Sequence, residues 1–251
     1  MKKNIYYPMM LFCVLATACV EDEAPAISDV ITMKLSKSEV KADGSSTVKV
    51  TLELNADTDP TLRTVVVKST GGSFVDGEGT KISKKAIKRN EKVLAEVFWR
   101  APASSGKVGI WAEPELPEFG GLYVVSDTIA VLASPPKTIS LTADAFSVYT
   151  NFDSELTLSG RLRNEEGNGV DKGTKIQLMD YFEDFGGSPG GSFRAESLSS
   201  DGESKVSAIY SPGAISPDQY IWLVATALDA AGKELENVKD SLKVYVKLKT
   251  E

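Results

Sequence analysis

Three stretches of this chain place apolar and polar residues in alternation: Val48-Lys49-Val50-Thr51-Leu52-Glu53-Leu54, Leu156-Thr157-Leu158-Ser159 and Leu242-Lys243-Val244-Tyr245-Val246-Lys247-Leu248. Successive side chains of a strand point to opposite faces, so each stretch reads as a strand with one face on a core and the other in water. Past the N-terminal leader, no segment sustains the period of a helix. Turn signals lie between the alternating runs at Asp43-Gly44, Gly71-Gly72, Asp76-Gly77, Gly186-Gly187, Asp201-Gly202 and Ser211-Pro212-Gly213. Short strands at this spacing predict an all-β sandwich architecture.

The pattern occurs twice. Thr47 to Leu54 lies over Ser154 to Gly160, Gly71-Gly72-Ser73-Phe74 over Gly190-Gly191-Ser192-Phe193, and Ala95 to Pro102 over Val206 to Gly213. Gly109-Ile110-Trp111-Ala112 parallels Ile221 to Ala225, and Ser126 to Ile129 parallels Lys239 to Leu242. The offset, about 110 residues, suits a domain-sized duplication. Between the copies, Ser134-Pro135-Pro136-Lys137 predicts a short, stiff, extended connector. Trp111 and Trp222 sit on apolar late strands and are expected to fill the core; Trp99, before the Arg100-Ala101-Pro102 turn, is expected to be partly exposed.

The N-terminus reads as an address. Lys2 and Lys3 precede the apolar run Met9 to Ala16, with small residues at Thr17 and Ala18, the pattern of a secretory signal peptide. Leu15-Ala16-Thr17-Ala18-Cys19 resembles the lipobox of bacterial lipoproteins, with Leu one position further from Cys than usual. The resemblance implies lipidation of Cys19, anchoring to a membrane through several acyl chains, and a mature chain without a disulfide. The following Val20-Glu21-Asp22-Glu23 resembles the surface-export signal of Bacteroidetes lipoproteins, and an acidic tether fits the same residues. The expected organisation is a signal peptide over 1–18, a tether over 19–27, one domain over 28–134, a connector over 135–137 and a second domain over 138–249.

Composition narrows the chemistry. The chain has no histidine, which removes Ser-His-Asp and Cys-His nucleophiles, imidazole metal sites and His general bases. Its 28 basic and 35 acidic residues give a net charge of −7, and loss of Lys2 and Lys3 with the leader makes it −9. So acidic a chain is a poor nucleic-acid binder.

The run Leu158-Ser159-Gly160-Arg161-Leu162-Arg163-Asn164-Glu165-Glu166-Gly167-Asn168-Gly169-Val170 resembles bacterial Ig-like domains of the invasin/intimin type. Gly190-Gly191-Ser192-Phe193 and Ser200-Asp201-Gly202-Glu203-Ser204-Lys205-Val206 continue the match in order. The first copy fits through Ala42 to Val48 and its own Gly-Gly-Ser-Phe segment. One departure is Gly169, where the family usually has Pro. The resemblance implies two tandem immunoglobulin-like β-sandwich domains used as stalk or adhesive modules, with no catalytic residue and no cofactor.

Two loops are richer than a connector needs. Asp180-Tyr181-Phe182-Glu183-Asp184-Phe185 packs three aromatics and three acids together and expands the second copy relative to the first. It fits a ligand platform in which rings stack on sugars and carboxylates take hydroxyls or Ca²⁺; Tyr181 and Phe185 capping the open end of the core fits it as well. The spacing matches no compact calcium loop, and no metal is expected. Glu113 to Tyr123 fits a protruding recognition loop stiffened by Pro114 and Pro117, or a long hairpin loop kept soluble by acids. The basic run Lys81, Lys84, Lys85, Lys88, Arg89 and Lys92 fits either an anion-binding surface or a strand edge blunted by lysines. Paired carboxylates for glycoside hydrolysis are disfavoured by loops this small.

The expected function is therefore non-catalytic. It is that of an outer-membrane lipoprotein at the cell surface, acting as an adhesion, binding or spacer module toward a surface protein or a glycan, with no nucleic-acid partner. Two further roles fit the same residues: an accessory glycan-binding subunit of a polysaccharide-uptake system, and a periplasm-facing envelope scaffold.

Overall fold

The computed structural model describes residues 25–116, 121–152, 154–194 and 198–248. The expected signal peptide over 1–18, Cys19 and the acidic run behind it lie outside the described residues. After one helical turn, α1 (Ile27–Val30), the first half of the chain forms β1 (Ile31–Leu35), β2 (Glu39–Lys41), β3 (Thr47–Leu54), β4 (Thr64–Ser69), β5 (Ser73–Phe74), β6 (Lys81–Lys85), β7 (Ile87–Arg89), β8 (Lys92–Arg100), β9 (Gly106–Pro114) and β10 (Val125–Leu132). The second half forms β11 (Thr138–Ala143), β12 (Ser147–Tyr149), β13 (Leu156–Arg163), β14 (Ile176–Phe182), β15 (Ser192–Arg194), β16 (Lys205–Ser211), β17 (Gln219–Leu228) and β18 (Glu234–Lys247).

Each half is a sandwich of two sheets. The first sandwich has the orders β1-β3-β8-β5 and β2-β10-β9-β4-β6; the second has β11-β13-β16-β15 and β12-β18-β17-β14. Strand for strand these are the same arrangement, with β6 and β7 added in the first copy. In both, the first strand of the repeat splits between the sheets, so that β2 joins β10 and β12 joins β18 in parallel pairs while the other pairs are antiparallel. The alternating stretches form as expected: β3 buries Val48, Val50, Leu52 and Leu54, and β13 buries Leu156, Leu158, Gly160 and Leu162. The basic run forms edge strand β6, the short β7 and the start of β8 at Lys92, with its lysines and Arg89 exposed.

The tryptophans reverse their expected places. Trp99 is fully buried, and its Nε1 donates to the Gly71 carbonyl at 2.9 Å. Trp111 and Trp222 are only half-buried and face outward. The cause is the phase of each strand. Val93, Ala95, Val97 and Trp99 share the inner face of β8, whereas β9 turns Val108, Ile110 and Ala112 inward, and β17 turns Ile221, Leu223, Ala225 and Ala227 inward. In both late strands small alanines take the interior and the large ring is left outside.

Each sandwich has its own core. One runs from Ile31 to Val131, the other from Ile139 to Val246. Where they meet, the contact is polar and specific. Asn168 Nδ2 donates to Asp43 Oδ2 at 3.1 Å, Lys41 Nζ lies 2.8 Å from Glu166 Oε1, and the Lys172 amide donates to the Ala103 carbonyl at 2.6 Å. Ser134, fully buried, is tied to the second sandwich on three sides. Its amide donates to Asp171 Oδ2, its Oγ donates to the Gly169 carbonyl, and it accepts from Asn164 Nδ2 at 2.9 Å. Gly169 itself explains its departure from the family pattern. A Cβ there would stand 2.6 Å from the Asp43 carbonyl oxygen and 2.7 Å from Ser204 Oγ, so the joint admits only glycine without a shift.

Candidate functional site

The outer face of the β12-β18-β17-β14 sheet is paved with aromatic rings. Strand register places Tyr181, Trp222 and Lys243 side by side in one row, and Tyr220 beside Tyr245 in the next. β14 begins shortly after Lys172, whose amide is bonded to the first sandwich, and runs away from the joint; the paved half of the sheet is the far half.

Phe185 completes the surface. Its ring stacks on Trp222 with centroids 5.8 Å apart and planes 16° apart, and it meets Tyr181 at 5.6 Å, tilted by 45°. Tyr220 and Tyr245 pack at 5.1 Å. Offset and tilted pairs of this kind are the favoured geometries for aromatic quadrupoles. Lys243 Nζ lies 4.4 Å from the Tyr220 ring centre and 5.8 Å from that of Trp222, within reach of a cation–π attraction, and 2.5 Å from Glu183 Oε1. The Tyr245 hydroxyl donates to Asp218 Oδ1 at 2.8 Å, and that bond to a carboxylate holds the phenol above its ordinary value of 10.0.

The loop after β14 makes Phe185 available. The Phe182 amide donates to the Gly187 carbonyl, the Phe185 amide donates to the Phe182 carbonyl, and Asp184 Oδ1 accepts from the Gly186 amide. This closed turn holds Phe185 at φ +58, a left-handed conformation that costs a residue with a bulky side chain on the order of 1–3 kcal/mol. The residue is nevertheless 56% exposed.

The six residues singled out from the sequence therefore separate. Tyr181 and Phe185 lie on the outer face, with Glu183 joined to it through Lys243; Phe182 and Asp184 are exposed at the end of β14 and in its turn, and neither Tyr181 nor Phe185 packs against the core. Asp180 points inward. It is 3% exposed, and its carboxylate accepts from the Tyr210 hydroxyl at 3.0 Å, the Gly191 amide at 2.8 Å and the Ser188 hydroxyl. Burial, with the Asp180 charge facing it, pushes the Tyr210 hydroxyl far above its usual range. Asp180 is thus a tie between sheets, placed by period two, since its neighbours Met179 and Tyr181 take the outer face.

Trp222, Tyr220, Tyr245 and Lys243 belong to the surface and were not read from the sequence as such. For Lys243 and Tyr245 the alternation of Leu242–Leu248 carries the signal, whereas β17 has apolar residues on both faces and gives none for Tyr220 and Trp222. In the other recognition loop, Glu115 is exposed and residues 117–120 lie outside the described residues. Among the described residues no group of three or more Asp, Glu, Cys or His side chains is placed to hold a metal ion.

Comparison with protein-family models gives no match, and comparison with curated proteins gives none. The likeness is to solved structures. Invasin, a bacterial integrin-binding protein, is similar over 88% of this chain and 40% of its own, at 14% identity and a TM-score of 0.55. The Yersinia pseudotuberculosis adhesin InvE is similar over 87% of this chain and 59% of its own, at 15% identity and a TM-score of 0.45. A beta-glycosidase from Bacteroides vulgatus, of which this chain covers 24%, has 12% identity and a TM-score of 0.33. This chain thus spans less than two thirds of each of these proteins. What the likeness to invasin establishes is the fold: two tandem immunoglobulin-like β-sandwiches.

Proposed function

We propose that this chain is a non-catalytic binding module of a bacterial envelope. It is held at the outer membrane by a lipid on Cys19, displayed at the cell surface on the acidic 19–27 tether, and built of domains over 28–134 and 138–249. The second domain engages a surface partner through its aromatic face. The observation that carries this reading is Phe185, a large apolar residue kept exposed at an unfavourable φ and stacked on a half-buried Trp222. Core stability does not require that arrangement, and rigid exposed aromatics are what binding surfaces use. Invasin-type adhesins with the same fold lend support to a binding role.

One observation favours a glycan as the partner of that face. Ring faces at Tyr181, Phe185 and Trp222 adjoin the Lys243–Glu183 pair, a combination able to stack on a sugar and bond its hydroxyls.

Protease shaving of intact cells tests the location: loss of the protein is expected, and protection until lysis would overturn surface display. The face is tested by Phe185→Gly, which removes the ring and relieves the backbone. The variant should melt within a few degrees of the parent, because the residue is exposed, while retention of chain-coated beads on a neutral glycan array or on immobilised envelope proteins should be lost. Unchanged retention on both surfaces would overturn the assignment.

A further inference from the structure

On the opposite side of the second sandwich, the outer face of the β11-β13-β16-β15 sheet forms an open groove of about 980 Å³. Register sets its rows. Ser140, Arg161 and Lys205 lie abreast, then Thr142, Ser159 and Ser207, then Thr157, Ile209 and Arg194. The middle row is all hydroxyl. Two strand periods separate the outer rows, which puts Lys205 and Arg194 roughly 13 Å apart along the sheet at about 3.3 Å per residue. Arg163 stands two residues beyond Arg161 on the same face, at the end near the joint.

The fold alone does not account for this charge. Arg161 and Lys205 are directly opposed on antiparallel strands, where like charges repel. Among the described residues Arg161 forms no ion pair. Lys205 and Arg194 are balanced only by exposed acids, Glu203 at 2.5 Å and Glu155 at 3.0 Å, and such pairs exchange readily with a competing anion. Asp201, the acid within the groove, spends Oδ1 on the amides of Glu203 and Lys205 in its own turn. In a chain with an excess of acids, a cationic row beside a hydroxyl row has the chemistry of an acceptor for anions carried on a polar, hydroxyl-rich chain.

We infer that this groove is a second binding site, whose occupant is an acidic oligosaccharide bearing sulfate or carboxylate groups. Arg161 supplies the planar, forked donor that grips such a group in two bonds, and Lys205 adds a second charge beside it. Thr142, Ser159 and Ser207 bond sugar hydroxyls along the floor, and Arg194 meets a second anion further along. An acidic peptide fits less well, because the central row of the floor is hydroxyl throughout and Ile209 is the one large apolar side chain in these rows. The site does not depend on the aromatic face, which belongs to the other sheet.

The test is calorimetric titration of the full-length chain in neutral detergent with a sulfated heparin oligosaccharide, an oligogalacturonate, a maltooligosaccharide of equal length and poly-glutamate. The two acidic sugars should bind, more weakly as salt is raised; the neutral one should not bind the groove, so any heat it gives should vanish in Phe185→Gly, where the acidic sugars still bind. Arg161→Ser should weaken both by about tenfold or more, the usual effect of losing a charge-assisted bond, while Phe185→Gly leaves them unchanged. The melting temperature of Arg161→Ser should hold or rise slightly, since a repulsive pair is relieved. A marked fall in melting temperature would make Arg161 a structural residue and overturn the inference. So would equal binding of the neutral sugar by Phe185→Gly, absence of binding by both acidic sugars, or acidic-sugar affinity unchanged in Arg161→Ser. Poly-glutamate binding as tightly as the acidic sugars would overturn the oligosaccharide as occupant.

Discussion

The two sandwiches solve one packing problem with different side chains. In each, a Gly-Gly-Ser-Phe segment lies over a large aromatic residue on the neighbouring strand. Phe74 pairs with Trp99 in the first copy, and Phe193 with Tyr210 in the second. The second glycine is needed in both, since a Cβ at Gly72 would stand 2.6 Å from the Trp99 ring and one at Gly191 would stand 2.5 Å from that of Tyr210. The polar tips are satisfied differently. Trp99 donates to a backbone carbonyl within the segment itself, whereas Tyr210 donates to Asp180, a side chain on the other sheet. In the first copy the glycines follow almost directly on β4. In the second, the turn bearing Phe185 is inserted between β14 and the glycines, and the aromatic surface is built on that insertion. The duplicated core has been kept; the first copy adds β6 and β7 to it, and the second adds the turn that carries Phe185 onto the aromatic face.

That comparison can be broken at three points. The largest effect is expected at the shared aromatic. Trp99→Ala should cost about 3–5 kcal/mol, the usual range for deleting a large buried ring, read as a lower urea midpoint. A loss below about 1 kcal/mol would mean that the first core does not hang on its aromatic as the packing implies.

Next comes the tie that only the second copy has. Asp180→Ala leaves the buried Tyr210 hydroxyl and the Gly191 amide without their acceptor and should cost about 1–3 kcal/mol. Hydrogen exchange should quicken over Gly190–Arg194 and stay unchanged over Gly71–Phe74. Equal quickening in both segments would contradict the independence of the two cores. Adding Tyr210→Phe to Asp180→Ala should cost little more, because the group left unpaired is then gone.

The smallest effect concerns the joint and its dependence on pH. Burial alone would raise the Asp43 carboxyl, but the amides of Ser46 and Ser45 and the Ser46 hydroxyl outweigh it and hold it below its ordinary 3.8. A carboxyl lowered on folding contributes stability that is complete above 3.8 and is lost as the pH falls through the lower folded value. Asp171, raised by burial against a single amide bond from Ser134, acts in the opposite sense. It costs stability above its folded value, and that cost is relieved as the pH falls through it toward 3.8. Asp43→Asn should therefore lower stability at neutral pH by about 1 kcal/mol and flatten the fall below pH 4. Asp171→Asn should reduce the neutral-pH cost, and an identical pH profile for the two variants would refute these opposite roles.

Much of this was legible before any coordinates. Alternation in Val48–Leu54 and Leu156–Ser159 marked the inner faces of β3 and β13, and the paired Gly-Gly-Ser-Phe segments marked the duplication. The tryptophans were misread because β9 and β17 carry apolar residues on both faces, and in such strands hydrophobicity does not reveal the phase. Asp180 was grouped with a surface loop for a related reason: a carboxylate in sequence looks solvent-bound until a buried tyrosine hydroxyl is found opposite it. The two opposed cations at Arg161 and Lys205 were invisible in sequence, being 44 positions apart and brought together only by register.

The sequence by itself determined the all-β class, the twofold repeat and the turn positions, because these follow from local rules of side-chain alternation and backbone preference. Tertiary structure alone decided which ring went inside, which acid became a tie, that Gly169 is the close contact of the joint, and that one sandwich shows aromatics on one sheet and cations on the other. Those outcomes depend on strand register and on how the two sheets face each other. Register is a property of pairs of strands distant in the chain, and shifting a strand by one residue exchanges its inside for its outside.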